Sequence, residues 1–140
     1  MIIDTSAIVA ILRSEHDADR YATALASATE PVMSAGTYLE TAVVVDANRD
    51  PVLSGRLDDL FAVARVDIAP VTEEHAKIAR QAYRVFGKGS GHPAGLNFGD
   101  CFAYALSRAT ARPLLFKGDD FGHTDVEPAI TPVGNREQRP

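Results

Sequence analysis

The stretch Met1-Ile2-Ile3-Asp4-Thr5-Ser6 decides how the rest of the chain is read. Two β-branched residues run straight into an aspartate, and a Thr-Ser pair then opens the amphipathic run Ala7 to Leu12. Ile2 and Ile3 favour a pleated, packed strand. Asp, Thr and Ser favour the mouth of a helix, where a side-chain oxygen accepts from otherwise unpaired main-chain N–H groups. A buried strand is therefore expected to end on a carboxylate where a helix begins. In open parallel sheets the ligand crevice lies outside the carboxyl ends of the strands, so Asp4 stands on its rim. An aspartate there is also an ordinary turn or capping residue, and its local context leaves both readings open.

Working outward, Glu15-His16-Asp17 opens a second helix with Ala18, Tyr21, Ala22 and Leu25 at helical spacing, ending before Glu30-Pro31. Val32-Met33-Ser34 reads as a strand. A helix follows from about Gly36 to Asn48, stopped by Asp50-Pro51 because the residue before proline is disfavoured in the helical region. Ser54 is read as the cap of the next helix, whose apolar face is Leu57, Leu60, Phe61 and Ala64. Val66-Asp67-Ile68-Ala69 alternates as a third strand, and Thr72-Glu73-Glu74 starts a helix with the stripe Ala76, Ala79, Ala82, Tyr83 and Phe86.

Residues 87–95 hold four glycines and read as a mobile loop that shapes substrate access. They do not read as a Walker loop, because Leu96-Asn97-Phe98 stands where the lysine and hydroxyl would be needed. The helix from Asn97 to about Ala111 is apolar over much of its circumference, which predicts burial. Pro113-Leu114-Leu115-Phe116 is a fourth strand, Lys117-Gly118-Asp119-Asp120 a turn at its end, and Val126 to Val133 a short last strand broken by prolines. Residues 1–133 are expected to form one α/β domain with a mostly parallel sheet of about five strands, and 134–140 a polar tail.

Composition narrows the class. The chain has 140 residues, 46% of them hydrophobic and 24% charged, which suits one globular domain with a sizeable core. No apolar run approaches membrane-spanning length, and the single Cys101 fits a reducing compartment, so a cytoplasmic protein is expected. The four histidines are scattered and suggest no zinc site. A net charge of −5 excludes a broadly basic nucleic-acid surface, though not a cationic rim around an acidic, metal-loaded pocket.

Four acids then need explaining. Glu40 has Gly36, Thr37, Val43 and Val44 three and four positions away, which puts a carboxylate on an apolar helix face. Such a group requires a cation, a hydrogen-bond partner or a raised pKa. Asp100 lies three residues after Asn97, where it can close a capping box, and Asp119 and Asp120 flank Gly118 as a turn would. Asp4 and Asp119 would follow strands directly, while Glu40 and Asp100 lie in the early turns of helices. All four therefore face one sheet edge. Two unit charges about 4 Å apart repel by roughly 4 kcal/mol at an effective dielectric near 20, a large part of a small domain's stability. A divalent cation offsets this most simply, and an all-carboxylate set suits magnesium or manganese.

Ile2-Ile3-Asp4-Thr5-Ser6, the helix-borne Glu40, Asn97-Phe98-Gly99-Asp100 and Leu114-Leu115-Phe116-Lys117-Gly118-Asp119-Asp120-Phe121 together resemble the PIN-domain ribonucleases, in particular the VapC-type toxins of bacterial toxin-antitoxin pairs. The resemblance covers nearly the whole chain and implies a three-layer PIN-like fold. It implies a metal-dependent endoribonuclease with Asp4, Glu40, Asp100 and Asp119 on one or two Mg2+ or Mn2+ ions, and Asp120 as substitute for Asp119. Ser6 matches the family's small hydroxyl near the first aspartate, implied to hold a water or a carboxylate. Lys117 stands where members often carry Thr or Ser, so a hydroxyl is lost and a cation gained that could contact substrate phosphate. The implied partners are RNA, a VapB-like antitoxin and a second copy of the chain. Ile8, Ile11 and Leu12 are candidates for that contact, with core packing as their ordinary fate. Two rival readings are a phosphohydrolase with Asp4 as covalent nucleophile, disfavoured because Ser6 stands where a second aspartate is usual, and a binding module whose acids only cap helices.

Overall fold

A computed structural model describes residues 1–131. The chain runs β1 (Ile2–Ile3), α1 (Thr5–Leu12), α2 (Ala18–Ser27), β2 (Val32–Ser34), α3 (Ala35–Asp46), α4 (Pro51–Ala64), β3 (Asp67–Ala69), α5 (Glu73–Phe86), α6 (Phe98–Thr110) and β4 (Leu114–Leu115). A single turn of 3-10 helix, Phe121–His123, follows β4. The strands pair in the order β3-β2-β1-β4, all parallel, with Ile2 opposite both Val32 and Leu114. Because each strand returns through helices, the carboxyl ends of all four lie on one edge. β1 sits between β2 and β4, so the topological switch point opens at Asp4.

Alternation across the pleat explains the consecutive apolar residues of the inner strands. Ile2 and Leu114 turn to a core with Leu96, Tyr104 and Leu106, against α5 and α6. Ile3 and Leu115 turn to the other face, with Met33 of β2 and with Ile8, Leu25 and Leu57 from α1, α2 and α4. Both faces are covered, as a parallel sheet requires. Ile8 and Leu12 are buried in this second core and Ile11, partly buried, packs against it, so core packing takes up most of this face of the first helix.

Several local expectations shift. Among the described residues the sheet has four strands, and Pro128 makes only an isolated bridge to Leu114, with Leu114 N–H donating to Glu127 O and Ala129 N–H to Leu114 O. Residues 132–140 lie outside the described part of the chain. α4 begins three residues before Ser54. Asp50 caps it by accepting from Val52 N–H, and Pro51 takes the first helical position, where no donor is needed. Ser54 donates instead to Asp46. On α5 the inward stripe is Ile78, Ala79, Ala82 and Phe86, while Ala76 and Tyr83 are exposed. The 87–95 loop is tied at both ends, Leu96 N–H donating to Phe86 O and Lys88 N–H to Leu96 O, and Ala94 is buried. Among the described residues no helix is long and apolar enough to cross a membrane.

Candidate metal centre

Asp4 follows the last paired residue of β1, its N–H still bonded to Leu115 O on β4. It is the N-cap of α1: Oδ2 accepts from Ser6 N–H at 3.0 Å and from Ser6 Oγ at 2.6 Å. Ser6 Oγ in turn accepts from Lys117 N–H at 2.9 Å, so the hydroxyl ties the end of β4 to the carboxylate. Asp4 is only 3% exposed, and its other oxygen, Oδ1, is buried with no protein partner. Burial raises its pKa first, the Ser6 hydrogen bonds oppose that, and the charge of Glu40 raises it further.

Asp100 is at once a cap and a member of the acid group. Asn97 Oδ1 accepts from Asp100 N–H at 2.8 Å while Asp100 Oδ2 accepts from Asn97 N–H at 3.0 Å, a complete capping box. Burial, followed by the charges of Asp4, Asp120 and Glu40, pushes its pKa up to about 7, against the opposing pull of the Asn97 N–H. The capping reading is borne out, and the same carboxyl lies within electrostatic range of Asp4, Asp120 and Glu40.

Glu40 reaches the same place from α3, but not from the face its neighbours suggested. The buried face of α3 is Thr37, Thr41 and Val45, and Val43 and Val44 are exposed. Glu40 lies on the flank, with Oε1 accepting from Thr5 Oγ1 at 2.8 Å. Its carboxylate rests over Gly99, where an added Cβ would overlap Oε2. Gly99 is thus glycine because α3's acid must pass that close to the first turn of α6. Neither Thr5 nor Gly99 was singled out from sequence, although both sit beside an assigned acid and Thr5, one residue on from Asp4, points to the opposite side of the helix start.

The turn after β4 separates its two aspartates. Gly118, at φ +100°, takes a conformation that favours glycine, and Phe121 is buried against Phe116. Asp120 is the one whose charge Asp100 feels. Asp119 lines a neighbouring cavity of about 260 Å³ with His16, Asp17, Arg20, Tyr21 and Lys117. Lys117 Nζ pairs with Asp17 at 2.8 Å and Glu15 at 3.3 Å, which raises its pKa, lowers that of Asp17 and fastens the α1–α2 loop to the end of β4.

Asp4, Glu40, Asp100 and Asp120 are electrostatic neighbours and not a closed ligand set. Among the described residues no three His, Cys, Asp or Glu side chains are already drawn together closely enough to hold an ion. Asp4, Glu40 and Asp100 each rest on a hydrogen bond of their own, from Ser6, Thr5 and Asn97. The donors are nonetheless oxygen only, one carboxyl oxygen is buried without a partner, and two acids are held toward neutrality. That chemistry fits a hard divalent cation.

The sequence matches the PIN domain over residues 1–127. The ribonuclease VapC28 of Mycobacterium tuberculosis is 58% identical over 130 residues, covering 93% of this chain and 98% of its own. VapC30 of the same organism is 46% identical over 132 residues, covering 94% and 100%. Among solved structures, VapC20 of M. tuberculosis, described as a sarcin-ricin loop cleaving toxin, superposes with a TM-score of 0.70 at 16% identity, over 94% of this chain and 98% of that one. A toxin-antitoxin complex from Klebsiella pneumoniae gives a TM-score of 0.64 at 15% identity, over 86% and 88%. At those identities the two structures speak for the fold alone. The chain belongs to the PIN-domain family, among the VapC ribonucleases.

Proposed function

We propose that this protein is a metal-dependent endoribonuclease, the toxin of a VapBC-type pair, with Mg2+ or Mn2+ held by Asp4, Glu40 and Asp100. Either Asp120 or Asp119 completes the set. The observation that carries this reading is Asp4, a nearly fully buried acid with one unpartnered oxygen and with Glu40 and Asp100 within electrostatic range. Such a group is kept either protonated or beside a compensating charge, and a cation against Oδ1 supplies that charge. Asp120 is favoured over Asp119 because its charge acts on Asp100, whereas Asp119 opens toward Arg20 and Lys117.

When bound, the ion supplies a water of lowered pKa and charge neutralisation at the scissile phosphodiester. The chain supplies position. Asp4 presents Oδ1 while Ser6 fixes Oδ2, and the capping box fixes Asp100. The described residues, 1–131, act as one domain, and the expected boundary at 133 and tail 134–140 lie outside them. The partners are RNA, a VapB-like antitoxin and a second copy of the chain, in the cytoplasm. The exposed Leu39 and Val43 of α3, at 64% and 58%, support a homodimer contact there, in place of the first helix.

The test is cleavage of defined RNAs by the purified chain with Mn2+, with chelator, and with Asp4→Asn or Asp100→Asn. Cleavage is expected to vanish with chelator and to fall at least about a hundredfold in either variant, the range seen when charge-stabilising groups are lost. Undiminished cleavage in all three arms overturns the assignment, and a trapped phosphoaspartyl intermediate at Asp4 would restore the phosphohydrolase reading.

A further inference from the structure

Glu40 differs from the other acids in how it is held. Asp4 and Asp100 stand at helix starts, where free main-chain N–H groups orient them. Glu40 lies in the second turn of α3, where the main-chain donors are spent on the helix itself. It also has a longer side chain, and so more rotamer freedom to lose. Only another side chain can fix its carboxylate, and Thr5 is the one that does so, at 2.8 Å.

The proton count around Thr5 sharpens this. Thr5 Oγ1 lies 2.8 Å from Glu40 Oε1 and 2.8 Å from Thr41 Oγ1, and has one proton to give. A carboxylate oxygen accepts, so the contact with Glu40 takes the proton of Thr5. Thr41 Oγ1 lies equally close to Thr37 O, its main-chain acceptor at 2.8 Å, and packs behind Thr5 as a polar neighbour. Thr41 is fully buried and Thr5 nearly so, which shields the Thr5–Glu40 contact from competing water. On the far side of the carboxylate, Gly99 leaves the space that Oε2 occupies.

We propose that Thr5 is a positioning residue for Glu40: with Thr41 behind it, its hydroxyl fixes the carboxylate over Gly99 in the orientation used at the metal centre. The inference rests on the metal reading above, and the test separates the two.

The measurement is Mn2+ affinity by titration calorimetry on the full chain, with far-ultraviolet circular dichroism confirming the fold of each variant. Thr5→Val keeps the shape and removes the hydroxyl, and it is expected to weaken Mn2+ binding at least about tenfold, the usual scale for groups that orient metal ligands. Thr5→Ser is expected to restore affinity to within about threefold, since it keeps the donor. In a Glu40→Gln background, Thr5→Val should cost less than about twofold more, because the residue it positions no longer ligates as a carboxylate. Gly99→Ala reaches the same carboxylate from the other side without touching Thr5, and a similar loss is expected. Unchanged affinity in Thr5→Val, or an equal loss with and without Glu40, overturns the positioning role. If instead Asp4→Asn and Asp100→Asn bind Mn2+ as the wild type does, the metal reading fails first and takes this inference with it.

Discussion

Asp100 carries two loads that act on its proton in opposite directions. The capping box favours the carboxylate, while burial and three neighbouring acids favour the neutral acid and win, leaving its pKa at about 7. The consequence for stability has a definite sign. The unfolded residue ionises near pH 4, so between about pH 4 and about pH 7 the folded state binds more protons than the unfolded one, and stability falls as pH rises through that window. Metal-free protein is therefore expected to melt progressively lower across pH 4–7 than an Asp100→Asn variant, which keeps an acceptor for the cap but cannot ionise. Added Mn2+ should reverse that order at pH 7.5. Parallel wild-type and variant melting profiles, with no response to Mn2+, would contradict the pairing of this acid with a cation. A second residue-scale test is Thr37, whose hydroxyl is fully buried without a partner. Thr37→Val removes that orphan at constant shape and is expected to stabilise the protein by about 1 kcal/mol in urea unfolding. At this scale Asp4 and Asp100 were legible from sequence because their roles follow from local spacing, a strand end and a cap. Thr5, Thr41 and Gly99 were not, because what they do depends on α3 and α6 meeting α1, contacts between residues far apart in the chain.

Elements were legible where periodicity and caps agree. The first strand, the Thr72 and Asn97 caps and the α4 face of Leu57, Leu60 and Phe61 all stand as the pattern predicts. The misread places are those where tertiary context chose among several apolar options. On α3 the sequence offered Val43 and Val44, but Thr37 and Thr41 went inside, the Thr41 hydroxyl donating to Thr37 O, and the valines were left out. The last strand, expected over residues 126–133, is a single bridge at Pro128 among the described residues. Helix ends offer a further test. α6 closes on Ala111 at φ 52°, a left-handed residue that glycine would occupy without steric cost. Ala111→Gly is expected to stabilise the protein by roughly 0.5–1 kcal/mol in urea unfolding, since relief of the left-handed strain exceeds the extra entropy glycine loses. A destabilisation of that size would show that the cap methyl packs usefully.

At the scale of the whole molecule, the order β3-β2-β1-β4 does the assembling. It sets the ends of β1, β2 and β4 side by side, so that α1, α3, the start of α6 and the turn after β4 each bring an acid to one crevice. The sequence yielded this placement through alternation of strands and helices. It named Asp119 with Asp120 as substitute; the charge of Asp120 is the one that acts on Asp100, while Asp119 lines the neighbouring cavity, a difference of one residue of turn geometry. The exposed apolar face of α3 adds an assembly-level expectation: light scattering should read two chains for the wild type and one for a Leu39→Asp/Val43→Asp variant, while a two-chain variant would move the contact elsewhere. The central claim, that these carboxylates form one metal centre, is tested most directly by the anomalous difference map of a crystal soaked in Mn2+. A peak about 2.1 Å from Asp4 Oδ1 and from a carboxyl oxygen of Asp100 is expected, with Asp120 nearer to it than Asp119. An absent peak, or one confined to the cavity beside Asp119 and Asp17, would contradict it.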